Sequence, residues 1–462
     1  MVIKELPLGY NIMVKKRIPV IAIFDVGKTN KKLFLFDEHY QIVFERTARF
    51  LETVDEDGDP CENIDSLRLS VFDSLHEVFR HTEFEIKAIN FASYGASFVY
   101  LDQSGKPLTP LYNYLKSYPE PLTNELHASY GGVEQFSIDT ASPALGSLNS
   151  GLQVFRLAKE KPDIYTQVKY AVHLPQYLSF LVTGQVFSDM TSIGCHTALW
   201  DFKQNDYHQW VRDIQLDQKL PPIVAGDEVF PAAFPGSPFK VGIGLHDSSS
   251  ALIPYLLNFH EPFILISTGT WCISLNPFNQ EPLTKQELTQ DALFYMNYTG
   301  RPIKASRLFA GYEHEQQTQR IAQYFSISKT KFRHLEIDWN LIDEVKQKYD
   351  HATLEDFKLV DLAEFRDYEH AYHAFMLCLI QSQVESLSLI LEEGNVSKIF
   401  VDGGFSNNDI YMNLLAKSYC KIEVYAASMA QATAIGAALV IHDHWNSQSI
   451  PSNIINLRYY RC

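Results

Sequence analysis

The chain has 462 residues, of which 46% are hydrophobic and 20% are charged, as is typical of a globular protein with two or three domains. Its formal net charge of −16 argues against a nucleic acid or an anionic membrane surface as the main partner. An anionic substrate would therefore need a local site that carries positive charge or a metal ion.

The first predicted elements form an antiparallel meander of three strands over 18–24, 33–36 and 41–50. The first strand runs into Asp25, and a tight turn with Gly27 and Lys28 follows. Backbone N–H groups around a glycine can point at phosphate oxygens, and a carboxylate can hold Mg²⁺ through water. The letters Gly-Lys-Thr at 27–29 are not a P-loop, because that motif needs a strand followed by a helix. A plain hairpin turn is the alternative interpretation.

An acidic loop near 55–62 precedes a helix predicted over 65–80, with Asp65 as its N-cap. The next predicted elements are strands over 86–92 and 98–101 and helices over 147–159 and 175–182, the last ended by Gly184. Prolines and glycines are concentrated between about 215 and 240. We therefore predict two domains, 18–240 and 241–446.

After this boundary the opening pattern starts again. A strand over 263–267, a glycine turn over 268–270 and a strand over 271–275 repeat the first hairpin. The remaining predicted elements are a helix over 369–392, strands over 398–401 and 423–425, and a helix over 431–441. The repetition predicts a pseudo-duplicated α/β protein with a cleft between two lobes.

The cysteines are far apart and form no CxxC pair: Cys61, Cys195, Cys272, Cys378, Cys420 and Cys462. This spacing favours neither a zinc site nor a disulfide framework, so we expect reduced thiols. The apolar stretch 18–24 is too short to span a membrane, and the expected location is cytoplasmic.

Four turns stand in a specific order along the chain: Asp25-Val26-Gly27-Lys28-Thr29, Gly244-Leu245-His246-Asp247, Ser267-Thr268-Gly269-Thr270-Trp271 and Asp402-Gly403-Gly404-Phe405-Ser406. Together with the segment 183–201, they resemble the FGGY carbohydrate kinases of the actin, Hsp70 and hexokinase superfamily. The resemblance covers residues 18 to about 442 and is greatest to L-rhamnulose and L-fuculose kinases. It implies a two-lobed α/β, ribonuclease H-like fold with an interlobe cleft.

The resemblance also implies ATP-dependent phosphorylation of a sugar hydroxyl, with ATP and Mg²⁺ as cofactors. Asp247 would be the catalytic base, since the attacking hydroxyl must lose a proton, and Asp25 would hold Mg²⁺. The alternative for Asp247 is an N-cap of the helix that follows it. The implied nucleotide contacts are Gly27, Lys28, Thr29, Thr268, Gly269, Thr270, Gly403, Gly404 and Asn407.

The implied substrate contacts are Tyr94, Gly95, Ser97, His246 and Asp247. Three positions depart from the relatives: Ser97 and Gln176 each replace an aspartate, and Lys116 ends a segment that often reads Tyr-Arg-Asp. A serine cannot accept two hydrogen bonds as a carboxylate does. His246 could donate to a sugar oxygen or be packed in the core. The resemblance therefore implies the reaction and leaves the sugar open.

The leading hypothesis is an ATP-dependent kinase of a deoxy-ketose such as L-fuculose or L-rhamnulose. Its expected partners are the sugar and ATP, with neither nucleic acid nor membrane, and a homodimer is left open. A catalytically silent sugar- and nucleotide-binding regulator on the same fold is the alternative, because the expected sugar pocket has changed.

Overall fold

The computed structural model describes residues 17–28, 31–48, 52–392, 394–429 and 431–462. Its first sheet has seven strands and lies in the first lobe. In order across the sheet, six of them are Val229–Pro231, Lys240–Gly242, Phe84–Ser93, Ile18–Val26, Lys31–Asp37 and Ile42–Ala48. The seventh, Leu245–His246, pairs in parallel with the end of Phe84–Ser93. The predicted meander is therefore present, although residues 49 and 50 of its third strand lie outside the described residues.

The second sheet also has seven strands and belongs to the second lobe. In order they are Ala292–Met296, Pro302–Leu308, Cys272–Asn276, Phe263–Thr268, Lys398–Gly403, Glu423–Ser428 and Asn456–Tyr460. Thr268 pairs with Gly403 at the end of two parallel strands. This register brings the two predicted glycine turns of the second lobe side by side.

Helices cover both sheets. Those of eight residues or more are Ile64–Arg80, Glu120–Ser129, Gly132–Asp139, Ser150–Glu160, Leu174–Thr183, Asp247–Asn258, Ala310–Tyr324, Trp339–Tyr349, Tyr368–Ser388, Asp409–Ser418 and Ala432–Leu439. The shorter α-helices are Pro162–Gln167, Met190–Ile193, Gln209–Asp213, Lys285–Thr289 and Leu354–Lys358. Four small two-stranded sheets pair Glu52–Val54 with Pro60–Glu62, Phe98–Leu101 with Tyr170–His173, Ser188–Asp189 with Ile223–Val224, and Trp200–Asp201 with Asp206–Tyr207.

One apolar core is shared by the two lobes. It contains Ile21 and Ile23 of the first sheet, Phe263 of the second sheet, and the buried faces of helices Asp247–Asn258 and Ala432–Leu439. The two helices touch so closely that a Cβ at position 436 would lie 1.8 Å from the Ser250 carbonyl oxygen. Glycine at position 436 allows the two helices to pack in direct contact within the core that the lobes share.

Two sequence predictions are wrong in detail. The helix predicted over 65–80 is capped by Asn63, whose side chain accepts a hydrogen bond from the Ser66 N–H, and Asp65 lies inside its first turn. The expectation of reduced thiols fails at one pair, because Cys420 and Cys462 form a disulfide with their Cα atoms 5.1 Å apart. Their separation of 42 residues left no local motif to reveal it. Among the described residues, no helix is long and apolar enough to cross a membrane.

Candidate active site

The two predicted acidic residues lie on either side of one strand end. In the first sheet, Ala92 pairs with Asp25 on one side and with Leu245 on the other. Asp247 follows Leu245 by two residues and so lies near Asp25. Burial, together with the negative charge of Asp247, raises the pKa of the Asp25 carboxyl to about 7, against an opposing effect of Lys32. Two carboxylates held this close create a local deficit of positive charge, as at sites that bind a divalent cation.

Asp247 occupies the first turn of helix Asp247–Asn258, and the N-cap position belongs to His246. One carboxylate oxygen, Oδ1, accepts a hydrogen bond from the Ser248 N–H at 2.7 Å and lies 3.3 Å from His246 Nε2. The side chain is 35% exposed and faces an interlobe cavity.

This interlobe cavity has a volume of about 190 Å³, which suits one small polar molecule. Aromatic rings form much of its wall: Tyr94 and Tyr114 contact each other from the first lobe, and His246 stacks on Tyr295 in the second. Both lobes contribute to its lining, which consists of Tyr94, Gly95, Ala96, Tyr114, Leu148, His196, His246, Asp247, Ser248, Trp271, Ile273, Tyr295 and Arg307.

The cavity wall leaves no room for a side chain at Gly95. A Cβ there would lie 2.6 Å from Cδ2 of His246, so any larger residue would displace the histidine. Ser97, in contrast, does not line the cavity: it is fully buried, and its hydroxyl donates to the Tyr112 carbonyl at 3.1 Å. This hydrogen bond joins Ser97 to the backbone of Tyr112 behind the cavity wall.

The segment Ser188–Thr191 binds the backbone of His246, the residue that precedes Asp247. The Thr191 hydroxyl accepts a hydrogen bond from the His246 N–H at 2.9 Å and donates to the buried carboxylate of Asp189. Burial raises the pKa of Asp189 to about 7, against opposing hydrogen bonds from Thr191 and Ser192. This part of the segment 183–201 therefore fixes the backbone from which Asp247 projects.

Gln176 supports the same turn from another helix. Its side-chain N–H donates to the Gly244 carbonyl at 2.7 Å, and the Gly244 N–H donates to Asn90 Oδ1 at 3.2 Å. Gly244 has a φ of +85°, and a Cβ there would lie 2.4 Å from the Pro175 carbonyl oxygen. The glutamine that departs from the relatives thus binds protein backbone and lies outside the cavity wall.

Lys116, which departs from the relatives, binds the carboxylates of the acidic loop. Its ammonium lies 2.5 Å from Asp55, 2.6 Å from Asp57 and 3.2 Å from Asp59. The lysine side chain is 7% exposed and that of Asp55 is 1% exposed, so the loop is closed around the cation. The loop and Lys116 form one local structural unit.

A second cavity, of about 400 Å³, lies in the second lobe beside the two paired glycine turns. The Thr268 hydroxyl donates to the Asp402 carbonyl at 2.6 Å and accepts from the Phe405 N–H at 3.0 Å, which joins the turns. The residues that line this cavity are Thr268, Gly269, Gly311, His314, Phe332, Arg333, Leu335, Gly404, Phe405, Asn407, Asn408 and Asp409. Four of the predicted nucleotide contacts are therefore in its wall.

Two further predicted contacts of this lobe lie beside the cavity. Gly403 has a φ of +91°, and a Cβ there would lie 2.1 Å from the Thr268 carbonyl oxygen. The carbonyl of Thr270 accepts from the Tyr312 N–H at 3.0 Å, at the start of helix Ala310–Tyr324. That helix start is so close that a Cβ at Gly311 would lie 1.8 Å from the Gly269 carbonyl oxygen.

The turn of the first lobe is only partly described. Gly27 and Lys28 follow Asp25, while Thr29 lies outside the described residues. The Lys28 ammonium lies 3.6 Å from the buried carboxylate of Glu62, which also binds Lys31 at 3.2 Å. Glu62 therefore holds two cations beside this turn.

Several residues of the two cavities were missed by sequence reasoning. Tyr295 and Arg307 come from strands of the second sheet that carry no motif, and His196 comes from a loop. Gly311 and His314 come from helix Ala310–Tyr324, which was not predicted from the sequence. Their placement depends on the pairing of distant strands, which one sequence does not reveal.

Comparison with known protein families covers both lobes. The N-terminal domain model of the FGGY family of carbohydrate kinases matches residues 20–253, and the model described as carbohydrate kinase FGGY, C-terminal domain, matches residues 260–449.

The chain belongs to the FGGY family of carbohydrate kinases.

Among curated proteins, the chain is 26% identical over 268 residues to rhamnulokinase from Halalkalibacterium halodurans, covering 54% of this chain and 52% of that protein. It is 24% identical over 267 residues to rhamnulokinase from Mannheimia succiniciproducens, covering 55% and 52%. The chain thus spans about half the length of the curated relatives it matches.

Solved structures of carbohydrate kinases share the fold over nearly the whole chain. A carbohydrate kinase from Novosphingobium aromaticivorans matches with a TM-score of 0.78 and 23% identity, covering 96% of this chain and 95% of that one. A xylulose kinase from Lactobacillus acidophilus matches with a TM-score of 0.76 and 15% identity, covering 96% and 93%. The predicted two-lobed, actin- and hexokinase-like α/β fold is confirmed.

Proposed function

We propose that this protein transfers the γ-phosphoryl group of ATP to a hydroxyl of a sugar, with the deoxy-ketoses L-rhamnulose and L-fuculose as the first candidates. The observation that carries the proposal is the placement of Asp247, which faces the interlobe cavity beside Asp25. The curated relatives named rhamnulokinase support this choice of sugars.

Asp247 is the proposed general base. The sugar occupies the cavity of about 190 Å³, where the aromatic side chains of Tyr94 and Trp271 offer flat faces to its C–H groups. As the hydroxyl oxygen forms its bond to phosphorus, the bond from phosphorus to the bridging oxygen of ADP breaks, and the hydroxyl proton passes to the Asp247 carboxylate. His246, 3.3 Å from that carboxylate, orients it, and closure of the lobes excludes water that would otherwise accept the phosphoryl group.

The nucleotide is proposed to lie along the paired turns of the second lobe. Its adenosine would occupy the cavity of about 400 Å³ lined by Gly404 and Asn407. Its phosphates would approach Gly269 and Thr270, and the first-lobe turn at Gly27, Lys28 and Thr29 would meet them from the other side. Bare backbone at a glycine allows a phosphate to approach its N–H group.

The residues present fit a magnesium ion at Asp25. Its carboxylate offers the hard oxygen ligand that Mg²⁺ prefers, and its raised pKa reports burial and the nearby charge of Asp247, which a cation would offset. When bound, Mg²⁺ would neutralise charge on the phosphates of ATP. The protein's own contribution is to hold Asp25 at the end of its strand, near Asp247, the proposed general base.

Replacing Asp247 by asparagine tests the proposal. Asp247→Asn keeps the shape of the side chain and removes its basicity, so we expect kcat to fall by about 10²- to 10⁴-fold. ATP affinity, measured by calorimetry, should stay within about twofold, because a base that acts on the sugar contributes little to nucleotide binding. The assay is coupled ADP release with Mg-ATP and a panel of ketoses, aldoses and polyols.

The control is Asp350→Asn, a carboxylate more than half exposed on the surface, which should leave turnover unchanged. Turnover by Asp247→Asn at the wild-type rate would remove Asp247 from the role of base. Sugar and ATP binding by the wild-type protein without any ADP release would instead support the silent regulator.

A further inference from the structure

Three soft metal ligands meet behind the wall of the sugar cavity. Cys195, His196 and His246 are all buried, and the cysteine sulfur and one ring nitrogen of each histidine lie within 4.8 Å of one another. Two of the three, His196 and His246, also line the cavity. Thiolate and imidazole are the side chains that Zn²⁺ and related cations bind in proteins.

The hydrogen bonds of His196 leave a nitrogen free to bind a metal ion. Its Nδ1 lies 3.1 Å from the Leu148 carbonyl oxygen, which can only accept, so Nδ1 carries the proton. The lone pair is therefore on Nε2. A backbone carbonyl that fixes the tautomer in this way is the usual outer partner of a metal-bound histidine.

His246 supplies an independent sign of an absent ligand. The residue is 4% exposed, and among the described residues its Nδ1 atom is buried without a hydrogen-bond partner. Its other nitrogen, Nε2, lies 3.3 Å from the Asp247 carboxylate. Buried polar atoms are nearly always satisfied, so an unpaired nitrogen beside a thiol and a second imidazole indicates a site for a ligand.

We propose that Cys195, His196 and His246 form a three-ligand site for a borderline-soft divalent transition cation, with Zn²⁺ as the test ion. Its fourth position faces the sugar cavity and is open to water. This site differs in chemistry from the oxygen site at Asp25, because Mg²⁺ prefers hard oxygen ligands and Zn²⁺ binds sulfur and nitrogen well.

Binding requires a small rearrangement and the release of one proton. Ligand atoms around a tetrahedral zinc lie roughly 3.5 Å apart, so the three side chains would close by about 1 Å. The Cys195 thiol is buried, and it must lose its proton before the sulfur can bind the cation. The thiol now donates to the Ser192 carbonyl, and its proton passes to water as the metal–sulfur bond forms.

The site also has a consequence for catalysis, and this consequence rests on the proposed function. A cation bound by His246 lies at the wall that would contact the sugar. Zn²⁺ is therefore an inhibitor that competes with the sugar, and Mg-ATP binding is unaffected by it.

The test uses the full chain in excess Mg²⁺, so that oxygen sites are already filled. Calorimetry should show one Zn²⁺ bound per chain, and Co²⁺ in its place should give a sulfur-to-cobalt charge-transfer band. Cys195→Ala should abolish the band and weaken Zn²⁺ binding by about tenfold or more. The matched control is Cys378→Ala, a buried free thiol in helix Tyr368–Ser388, which should change neither.

His196→Gln provides a second variant that keeps the thiol, and it should weaken Zn²⁺ binding while circular dichroism shows an intact fold. Absence of stoichiometric binding by the wild-type protein, or a band retained in Cys195→Ala, would overturn the site. Because binding and spectra need no turnover, a positive result stands even where the kinase assay is silent. A sugar KM that rises with Zn²⁺ in the wild type alone would add the inhibitory role.

Discussion

Individual residues that differ from the family pattern are used by this protein for structure. Lys116 neutralises the acidic loop, Gln176 anchors the turn before Asp247, and Ser97 closes a loop behind the cavity wall. Each substitution therefore has a partner in the protein itself. In the proposed function, recognition of the sugar would then fall to side chains that line the cavity, above all Tyr94 and His246.

Replacing Lys116 by methionine should destabilise the protein. Lys116→Met keeps the length of the side chain and leaves the Asp55 carboxylate, 1% exposed, without its cation. We expect a loss of about 2 to 3 kcal/mol in the free energy of unfolding, since Asp57 and Asp59 remain in water. Urea denaturation measures this loss.

The control for this prediction is Lys159→Met. Lys159 pairs with Glu125 at 2.6 Å, but both side chains are more than 40% exposed, so its loss should cost less than about 1 kcal/mol. Equal effects of the two substitutions would contradict a structural role for Lys116. Adding Asp55→Asn to Lys116→Met should recover part of the loss.

His314 should make the protein sensitive to acid. Its Nε2 lies 2.8 Å from the Tyr372 hydroxyl, which also accepts from Asn408, so Nε2 is the acceptor of the tyrosine proton. Burial lowers the pKa of His314 to about 4. Below about pH 6.5 the unfolded chain binds a proton that the folded chain does not, so stability falls as pH decreases from about 6.5 to 4.

The expected contribution of His314 over this range is about 3 kcal/mol. His314→Gln retains an acceptor for Tyr372 and removes the titration, so its unfolding free energy should depend less steeply on pH. Urea denaturation of both proteins between about pH 7 and 4 measures the difference. Parallel pH profiles would show that His314 does not carry this effect.

The sequence predicted residues of the proposed active site but few of the residues that surround them. Asp25, Asp247 and the glycine turns are in motifs, because phosphate and proton transfer restrict the residue types that can do this work. Tyr295 and Arg307 reach the same cavity from two strands whose order in the sheet is set by long-range pairing. No local pattern distinguishes such residues from ordinary strand residues.

At the level of the elements, Gly269 and Gly436 have opposite surroundings. One lies beside a cavity and the other lies in a tight contact between two helices. Among the described residues, a Cβ added at Gly269 would meet only the Trp271 carbonyl oxygen, at 4.0 Å, so these residues leave room for one. A Cβ added at Gly436 would lie 1.8 Å from the Ser250 carbonyl oxygen, inside the shared core. One glycine serves the cavity and the other serves the contact between helices.

Gly269→Ala should therefore weaken ATP binding by about tenfold and leave the melting temperature unchanged, because the added methyl group obstructs only the phosphates. Gly436→Ala should lower the melting temperature, because helices Asp247–Asn258 and Ala432–Leu439 must separate. Calorimetric ATP titration and thermal unfolding of both variants test this. Wild-type ATP affinity in Gly269→Ala would argue against phosphate binding at that turn.

Several elements with a clear hydrophobic period were predicted within a few residues, whereas helices Ala310–Tyr324, Trp339–Tyr349 and Asp409–Ser418 were not predicted. The strand over 98–101 is Phe98–Leu101, and the helix over 369–392 is Tyr368–Ser388. The short helices and two-residue strands between 186 and 231 were missed, since they are too short to show a period. The N-cap was misplaced because Asn63 and Asp65 are both favourable caps, and side-chain geometry decides between them.

For the whole molecule, the disulfide between Cys420 and Cys462 should be a sizeable source of stability. It closes a segment of 42 residues that includes helix Ala432–Leu439 of the shared core. In the chain-entropy treatment, such a loop contributes at most about 4 kcal/mol. Cys462→Ser should lower the free energy of unfolding under non-reducing conditions, as measured by urea denaturation.

The matched comparison is the wild-type protein with and without a thiol reductant. Reductant should lower its stability to that of Cys462→Ser and should leave the variant unchanged. Equal stability of the two proteins without reductant would show that the bond adds nothing. In the predicted cytoplasmic location the reduced form of this pair would be favoured.

The shared core also determines when this protein can complete its fold on the ribosome. The Tyr40 hydroxyl lies 2.6 Å from His442 Nδ1, a contact that spans 402 residues, and Ile21 and Ile23 pack in the same core as helix Ala432–Leu439. At about 5 to 20 residues per second, the first strands wait roughly 20 to 80 seconds for these partners to be synthesised. During translation the first lobe therefore presents an uncovered apolar face, which gives molecular chaperones time to bind it.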